Sequence, residues 1–301
     1  MPATNPPTDD PVRLTADGSE AAVALAGAQP VMWRAAGRDL LWSGDPAHWG
    51  WHAPLLFPVV GQVKGGRVRI AGQSFDMPRH GFARISPFRC LDRTDSSVRL
   101  RLETGASAIA FPLPFRLDVT VTLQARALAL DVTVGNPGAG PLPYAVGFHP
   151  AFPWPFEGGS QAGYEVRFEA DEPAEVPVVT PEGLLGRDTR TVPLQGSRLP
   201  LDPDLFRDDA LVFLGARSRR WSFAAPSGAA IEMRVDGFPH LALWTKPGSP
   251  FLSLEAWTGH ADPDGFAGEL VDKPSMIRLP PGGERRHRVE LHFRAPDARA
   301  L

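Results

Sequence analysis

The chain of 301 residues is 43% hydrophobic and 22% charged, with a formal net charge of -3. That is the balance of an ordinary soluble protein, and it carries no field that would gather a polyanion, so nucleic acid is excluded as a partner. No apolar run approaches the length of a membrane span, and a single cysteine, Cys90, excludes an intrachain disulfide.

The opening residues MPATNPPTDD lack the basic and apolar regions of a signal peptide, which makes the cytoplasm the expected compartment. Residues 1–11 are polar and proline-rich and are predicted to form a disordered tail, followed by a single domain over residues 12–296, because no composition shift marks a boundary. Glycine (30) and proline (33) puncture the whole length too often for helices of typical size, so strands must carry the fold. His48 and His52 stand four apart in DPAHWGWHAP, the helical spacing of two metal ligands. Gly50 between them and the flanking prolines argue against a helix, and no third ligand of suitable spacing follows. PRHGFAR, with His80 and Arg84, comes next, then a strand pair over 88–102 in which Cys90 is expected to pack as a small hydrophobe. The clearest signal is RLDVTVTLQ followed by ALALDVTVGN. Leu117, Val119, Val121 and Leu123 alternate with polar residues, and Leu128, Leu130, Val132 and Val134 repeat the period, predicting a half-buried antiparallel hairpin with its turn near 124–126.

LPYAVGFHPAF, residues 142–152, reads as a strand that stops at His149, because Pro150 has no N–H and biases its predecessor toward extended backbone. An imidazole there either caps the core or faces a cavity, and this run alone favours the cap. The proline-rich stretch 172–181 reads as a long connection, and RSRR and ERRHR as solvated strand faces. Further strand-like runs lie at 164–168, 231–235, 241–244, 251–254 and 289–293. In FLSLEAWTGHAD, Glu255 follows an apolar run and precedes Trp257, and a carboxylate at a buried strand end is costly without a partner. ADPDG, 261–265, matches part of a calcium loop without its remaining ligands, and a surface turn is expected. GxxxxGK[ST], GxSxG and HExxH are all missing from the sequence, so the best-marked nucleotide, hydrolase and zinc chemistries have no support. Eight tryptophans against two tyrosines offer flat faces that can stack on a sugar ring as well as fill a core. Many short strands with frequent turns imply a sandwich.

Taken in order, LWSGDPAHWGWHAPLLFPVVGQVKGGRV, RHGFAR, GFHPAF, LALWTKPG, LSLEAWTGHAD and LPPGG resemble the aldose 1-epimerase (galactose mutarotase-like) family, in its LacX-like branch, over nearly all of 14–293. The resemblance implies an all-β fold, a large antiparallel β-supersandwich with one carbohydrate site on a concave sheet. It also implies interconversion of the α and β anomers of a free sugar without cofactor or metal. Carried over by motif, it makes His149 the general acid, Glu255 the general base and His80 a second sugar-contacting histidine. Asp209 in DDALVF is a weaker match to a hydroxyl-binding aspartate, and Trp244 and Trp257 are expected near the sugar. Gln62 in VVGQVK stands where family members often carry arginine, Ala256 where proline is usual and Thr258 where tyrosine is usual. These departures bear on substrate identity more than on catalysis.

Opening a hemiacetal removes the C1 hydroxyl proton while the ring oxygen is protonated, and closure reverses both transfers, so one acid and one base suffice. With both motifs present, His149 is expected in a cavity rather than in the core. The expected partner is a monosaccharide, bound by a monomer or homodimer. Three alternatives compete. One is a sugar-binding or regulatory protein that keeps the pocket without useful turnover. Another is a glycoside hydrolase or polysaccharide lyase, for which Asp209 is the nearest second carboxylate. The closest enzymatic alternative is a hexose-6-phosphate mutarotase, with Arg84 or Lys64 meeting the phosphate.

Overall fold

The computed structural model describes residues 10–296; the tail expected at 1–11 lies, apart from residues 10 and 11, outside the described residues. The alternation at 116–134 is realised as strands Arg116–Gln124 and Ala127–Gly135, paired antiparallel from Arg116 with Gly135 to Gln124 with Ala127 across a tight turn at Ala125 and Arg126. Leu117, Val119, Val121 and Leu123 are all buried on its inner face, each leucine contributing about 1.5–3 kcal/mol by leaving water. Between them Asp118 is clamped by Arg101, whose Nε and Nη2 donate to its two oxygens at 2.6 and 2.8 Å. Burial alone raises the Asp118 carboxyl, but the Arg101 clamp outweighs it and holds the group below the usual carboxylate range.

The hairpin lies inside a nine-stranded sheet, flanked by Ser97–Glu103 on one side and Glu284–Arg294 on the other. From Glu284–Arg294 the sheet continues through Ala230–Asp236, Arg220–Ala224, Glu165–Phe168 and Arg198–Pro200. A six-stranded sheet holds Leu211–Phe213, His240–Trp244, Phe251–Trp257, Gly147–Phe148 and Leu55–Leu56 in that order, with Ala151–Pro153 also paired to Phe251–Trp257. All named strand pairs are antiparallel, as the sandwich reading requires. Leu241, Leu243, Leu252, Leu254 and Ala256 of the six-stranded sheet share one apolar cluster with the inner residues of the hairpin. Because side chains alternate along a strand, Ala242 and Trp244, with Phe251, Glu255 and Trp257, are left on the opposite face. That face carries the site. Val12–Ala16, Ser19–Ala24, Gln29–Ala35 and Arg38–Asp39 form a four-stranded sheet of their own.

Four local readings need correction. Residues 172–181 are no plain connection: Glu175–Val179 pairs with Leu185–Thr191 in a two-stranded ribbon whose register shifts between Pro177 and Val179, an isolated ribbon being where proline is tolerated. Cys90 is exposed rather than packed, because its strand is the edge of the nine-stranded sheet and shifts register between Cys90 and Asp92. In ADPDG only 263–265 fits a surface turn. Asp262 is buried, its Oδ1 2.9 Å from Lys273 Nζ and its Oδ2 accepting from the Lys64 N–H. The chain also does not leave the sheet for good at His149, since Ala151–Pro153 rejoins Phe251–Trp257. The arginines at 217, 219, 220, 285 and 286 are exposed, as solvated faces should be. Among the described residues no helix is long and apolar enough to cross a membrane.

Candidate active site

Phe148 pairs with Ala256 and Ala151 with Ser253, so the register is the same on both sides of the interruption. That continuity places His149 directly across from Glu255. The ladder is broken there because Pro150 has no N–H to give; its carbonyl still accepts from Leu254, while the His149 N–H turns the other way, to Pro54 O. Opposed residues of adjacent strands project to the same face, and His149 Nε2 lies 3.2 Å from Glu255 Oε1. The second carboxylate oxygen accepts from Trp257 Nε1 at 3.0 Å. Glu255 therefore sits inside its strand rather than at the end expected from sequence. Ala242 is its partner on the other neighbouring strand, too small to cover it.

Burial drives both groups toward their neutral forms. The Glu255 carboxyl is pushed well above its ordinary range by desolvation, with the Trp257 N–H opposing and Asp209 adding to the rise. The His149 imidazole is lowered to about 3, chiefly by desolvation, with its own backbone opposing and Arg84 adding to the fall.

His80 lies in the left-handed region, φ 67°, followed by Gly81 at φ 72°. The two turn the chain beside Phe57, and a Cβ on Gly81 would stand 2.1 Å from Phe57 O, so glycine is required there. His80 exchanges bonds with Gly61: its N–H donates to Gly61 O at 2.9 Å and its Nδ1 accepts the Gly61 N–H at 3.1 Å. Nδ1 is thus the acceptor nitrogen and the hydrogen resides on Nε2. Burial, with Arg84, His149 and Arg79 adding, lowers this imidazole well below its ordinary value.

A cavity of about 170 Å³ opens over the pair, and eight residues singled out from sequence line it: Gln62, His80, Arg84, His149, Asp209, Trp244, Glu255 and Trp257; Lys64, the other candidate for a phosphate, lines a separate cavity. Gln62 donates to Val63 O and accepts from Arg79 Nε at 3.2 Å. The Arg84 guanidinium is buried, gives one hydrogen bond to Arg79 O and lies 4.8 Å from the Trp51 ring centre. Desolvation, then Arg79, lowers it to about 10. Asp209 is held at φ 71° with its Oδ1 on the Ala210 N–H. Neither Ala256 nor Thr258 lines the cavity. Ala256 faces the core, and Thr258 Oγ1 accepts the Val146 N–H.

Of the lining residues that sequence reasoning missed, two bear an aromatic or charged side chain, Trp49 and Arg79. Arg79 immediately precedes His80 in a motif already singled out, and Trp49 lies between the two histidines weighed as metal ligands. Those histidines are otherwise engaged: His48 Nδ1 meets Ser249 Oγ at 3.2 Å and His52 Nδ1 meets Trp42 O at 2.9 Å. Among the described residues no group of three or more His, Cys, Asp or Glu side chains gathers as metal ligands.

Comparison with known proteins bears on the fold and the family. LacX (chromosomal) of Lactococcus lactis subsp. lactis is 32% identical over 259 residues, 81% of this chain and 86% of that protein. A galactose mutarotase-like protein from Lactobacillus casei superposes with a TM-score of 0.86 at 25% identity, over 94% of this chain and 100% of the other. Galactose 1-epimerase from Lactobacillus acidophilus shares the fold at a TM-score of 0.67 and 14% identity, over 94% and 93% of the two chains. The aldose 1-epimerase family model matches residues 10–292, and the chain belongs to that family.

Proposed function

We propose that this protein interconverts the α and β anomers of an aldose by general acid–base catalysis, with residues 12–296 acting as one carbohydrate-active unit. The observation that carries this reading is the 3.2 Å contact of His149 Nε2 with Glu255 Oε1 at the floor of a cavity. Burial favours a pair that holds a single proton. For ring opening to start, the bound cyclic sugar must hold that proton on His149 and leave Glu255 ionised, against the direction burial sets. Glu255 takes the C1 hydroxyl proton as His149 protonates the ring oxygen, which leaves an open aldehyde, a protonated Glu255 and a neutral His149. These are the forms burial prefers, so the environment of the pair assists ring opening. After the aldehyde rotates, closure on its other face returns both protons. Each transfer is worth about a hundredfold or more. His80 contributes Nε2–H as a donor to a ring hydroxyl and Asp209 an acceptor, while Trp244 and Trp257 supply apolar faces.

A second reading concerns the sugar. Arg79 and Arg84 line the same cavity, and among the described residues neither has a carboxylate partner. Two such guanidinium groups favour an aldose that carries a phosphate or a carboxylate. Polarimetry of freshly dissolved anomers over free, phosphorylated and acidic aldoses tests both readings. Accelerated exchange of at least one is expected. Acceleration confined to charged sugars selects the second reading, and tight binding without acceleration replaces the enzyme with a sugar-binding protein.

A further inference from the structure

Trp49 belongs to no strand and takes no part in the proton transfers, yet its position is fixed from several sides. Its N–H donates to Asp45 O at 2.9 Å, and its carbonyl accepts from Trp42 Nε1 at 2.8 Å. Its indole stacks on Phe251 with centroids 5.5 Å apart at 21° and meets the edge of Trp244 at 5.7 Å and 67°. The same indole lies nearly parallel to the imidazole of His149, 4.9 Å away at 24°.

A reacting histidine is ordinarily oriented by a hydrogen bond at its other ring nitrogen. In His149 that nitrogen, Nδ1, is buried and bonded to no other residue. Beyond Nε2 at Glu255 and its own backbone, the tilt of the ring is set by other rings: Trp49 across its face, and Trp244 at 5.8 Å and His80 at 5.7 Å, each at 81°. The charged and titratable groups around it divide by element. Glu255 faces it from the neighbouring strand, His80, Arg79 and Arg84 come from the 79–85 segment, and Asp209 lies across the cavity. Arg84 opposes a charge on His149, and Glu255 favours one only when ionised. On its own segment, the Trp49 face is the neighbour that favours a cation irrespective of any protonation state.

We propose that Trp49 is a positioning residue for His149, holding the imidazole in the plane in which Nε2 transfers its proton and stabilising the imidazolium through the indole face. The proposal rests on the acid–base reading of Glu255 and His149. The test compares Trp49→Leu and Trp49→Phe with the wild-type chain on an aldose that the latter turns over. Trp49→Leu should lower kcat about tenfold with little change in KM, and move the alkaline limb of the kcat profile about one pH unit lower. Trp49→Phe, which keeps an aromatic face, should recover most of the loss. An effect confined to KM, or an alkaline limb that stays in place, overturns the proposal and makes Trp49 a surface for the sugar only.

A second measurement does not depend on turnover. Nitrogen resonances of isotopically labelled histidine, with His149 assigned by their loss in His149→Asn, report its imidazolium fraction as pH falls. Trp49→Leu should reduce that fraction at each pH, and identical titrations in the variant and the wild type overturn the proposal. Altered titrations in a protein that exchanges no aldose would keep the role of Trp49 and overturn the acid–base reading.

Discussion

Glu255 spends one oxygen on the Trp257 indole and turns the other to His149, so the side chain is already held where a base is needed. Replacement by glutamine keeps its shape and its acceptor for Trp257 but removes the capacity to take a proton. Glu255→Gln should therefore reduce anomer exchange by about two orders of magnitude or more while sugar affinity, followed by calorimetry, changes far less. His149→Asn should give a comparable loss, and the double variant little more than either, because the two act in one step. A wild-type pH profile should fall at low pH as the pair gains a second proton and at high pH as it loses its only one. Both residues stood out in the sequence as polar groups beside apolar runs, but the run around His149 alone favoured a core cap, and their acid and base roles came from the resemblance of GFHPAF and LSLEAW to family motifs. Trp49 and Arg79 did not stand out. Their roles arise from what faces them in space: the imidazole against Trp49, and Gln62 with Gly183 beside Arg79, where a Cβ on Gly183 would stand 2.2 Å from the Arg79 Nη2.

At the level of elements, the chain turns at His80 and Gly81 to bring a histidine onto the wall of the cavity, and the turn depends on backbone that only glycine tolerates. Gly81→Ala would drive a methyl into Phe57 O at a left-handed φ. A loss of about 3 kcal/mol or more in denaturant unfolding is expected; near wild-type stability would show that the turn can relax. Sequence periodicity found the hairpin at 116–134 because alternation and a tight turn are local properties. It misread 172–181 because Pro173, Pro177 and Pro181 argue against a strand in a sheet interior, whereas an isolated ribbon with a register shift accepts Pro177 opposite Thr189. It also stopped the strand at His149, since nothing local records that Ala151–Pro153 returns to the same partner in the same register.

Across the whole molecule, further imidazoles are buried outside the cavity. His240 and His287 are each lowered to about 4, mainly by desolvation, as His149 is lowered to about 3. A histidine whose folded value is depressed contributes stability that is fully present above its unfolded value, near 6.5, and is lost as pH falls toward the folded one. His240 and His287 should each steepen the loss by up to about 1.4 kcal/mol per pH unit below 6.5, whereas the His149–Glu255 pair, which keeps one proton in the fold, matches the one proton its unfolded histidine binds there and adds no slope. Denaturation midpoints should therefore fall clearly between pH 7 and pH 5, and a flat profile over that window would count against neutral burial of these rings. The sandwich itself was legible, because many short strands with frequent turns imply it; that Leu252, Leu254 and Ala256 take one side of a strand and Glu255 and Trp257 the other shows only once the strand is formed, since 251–254 reads as a continuous apolar run. Facing residues in one unbroken register, His149 and Glu255 are spaced by the pitch of the sheet, about 4.8 Å from strand to strand, and no loop is needed to measure the gap. The sheet is thus a ruler for the reaction, while the segments bearing Gln62, Arg79, Gly183 and Asp209 merely surround it. Under the proposed reading, accepting a different sugar calls for redrawing only those segments, while the strand spacing keeps the distance between proton donor and proton acceptor unchanged.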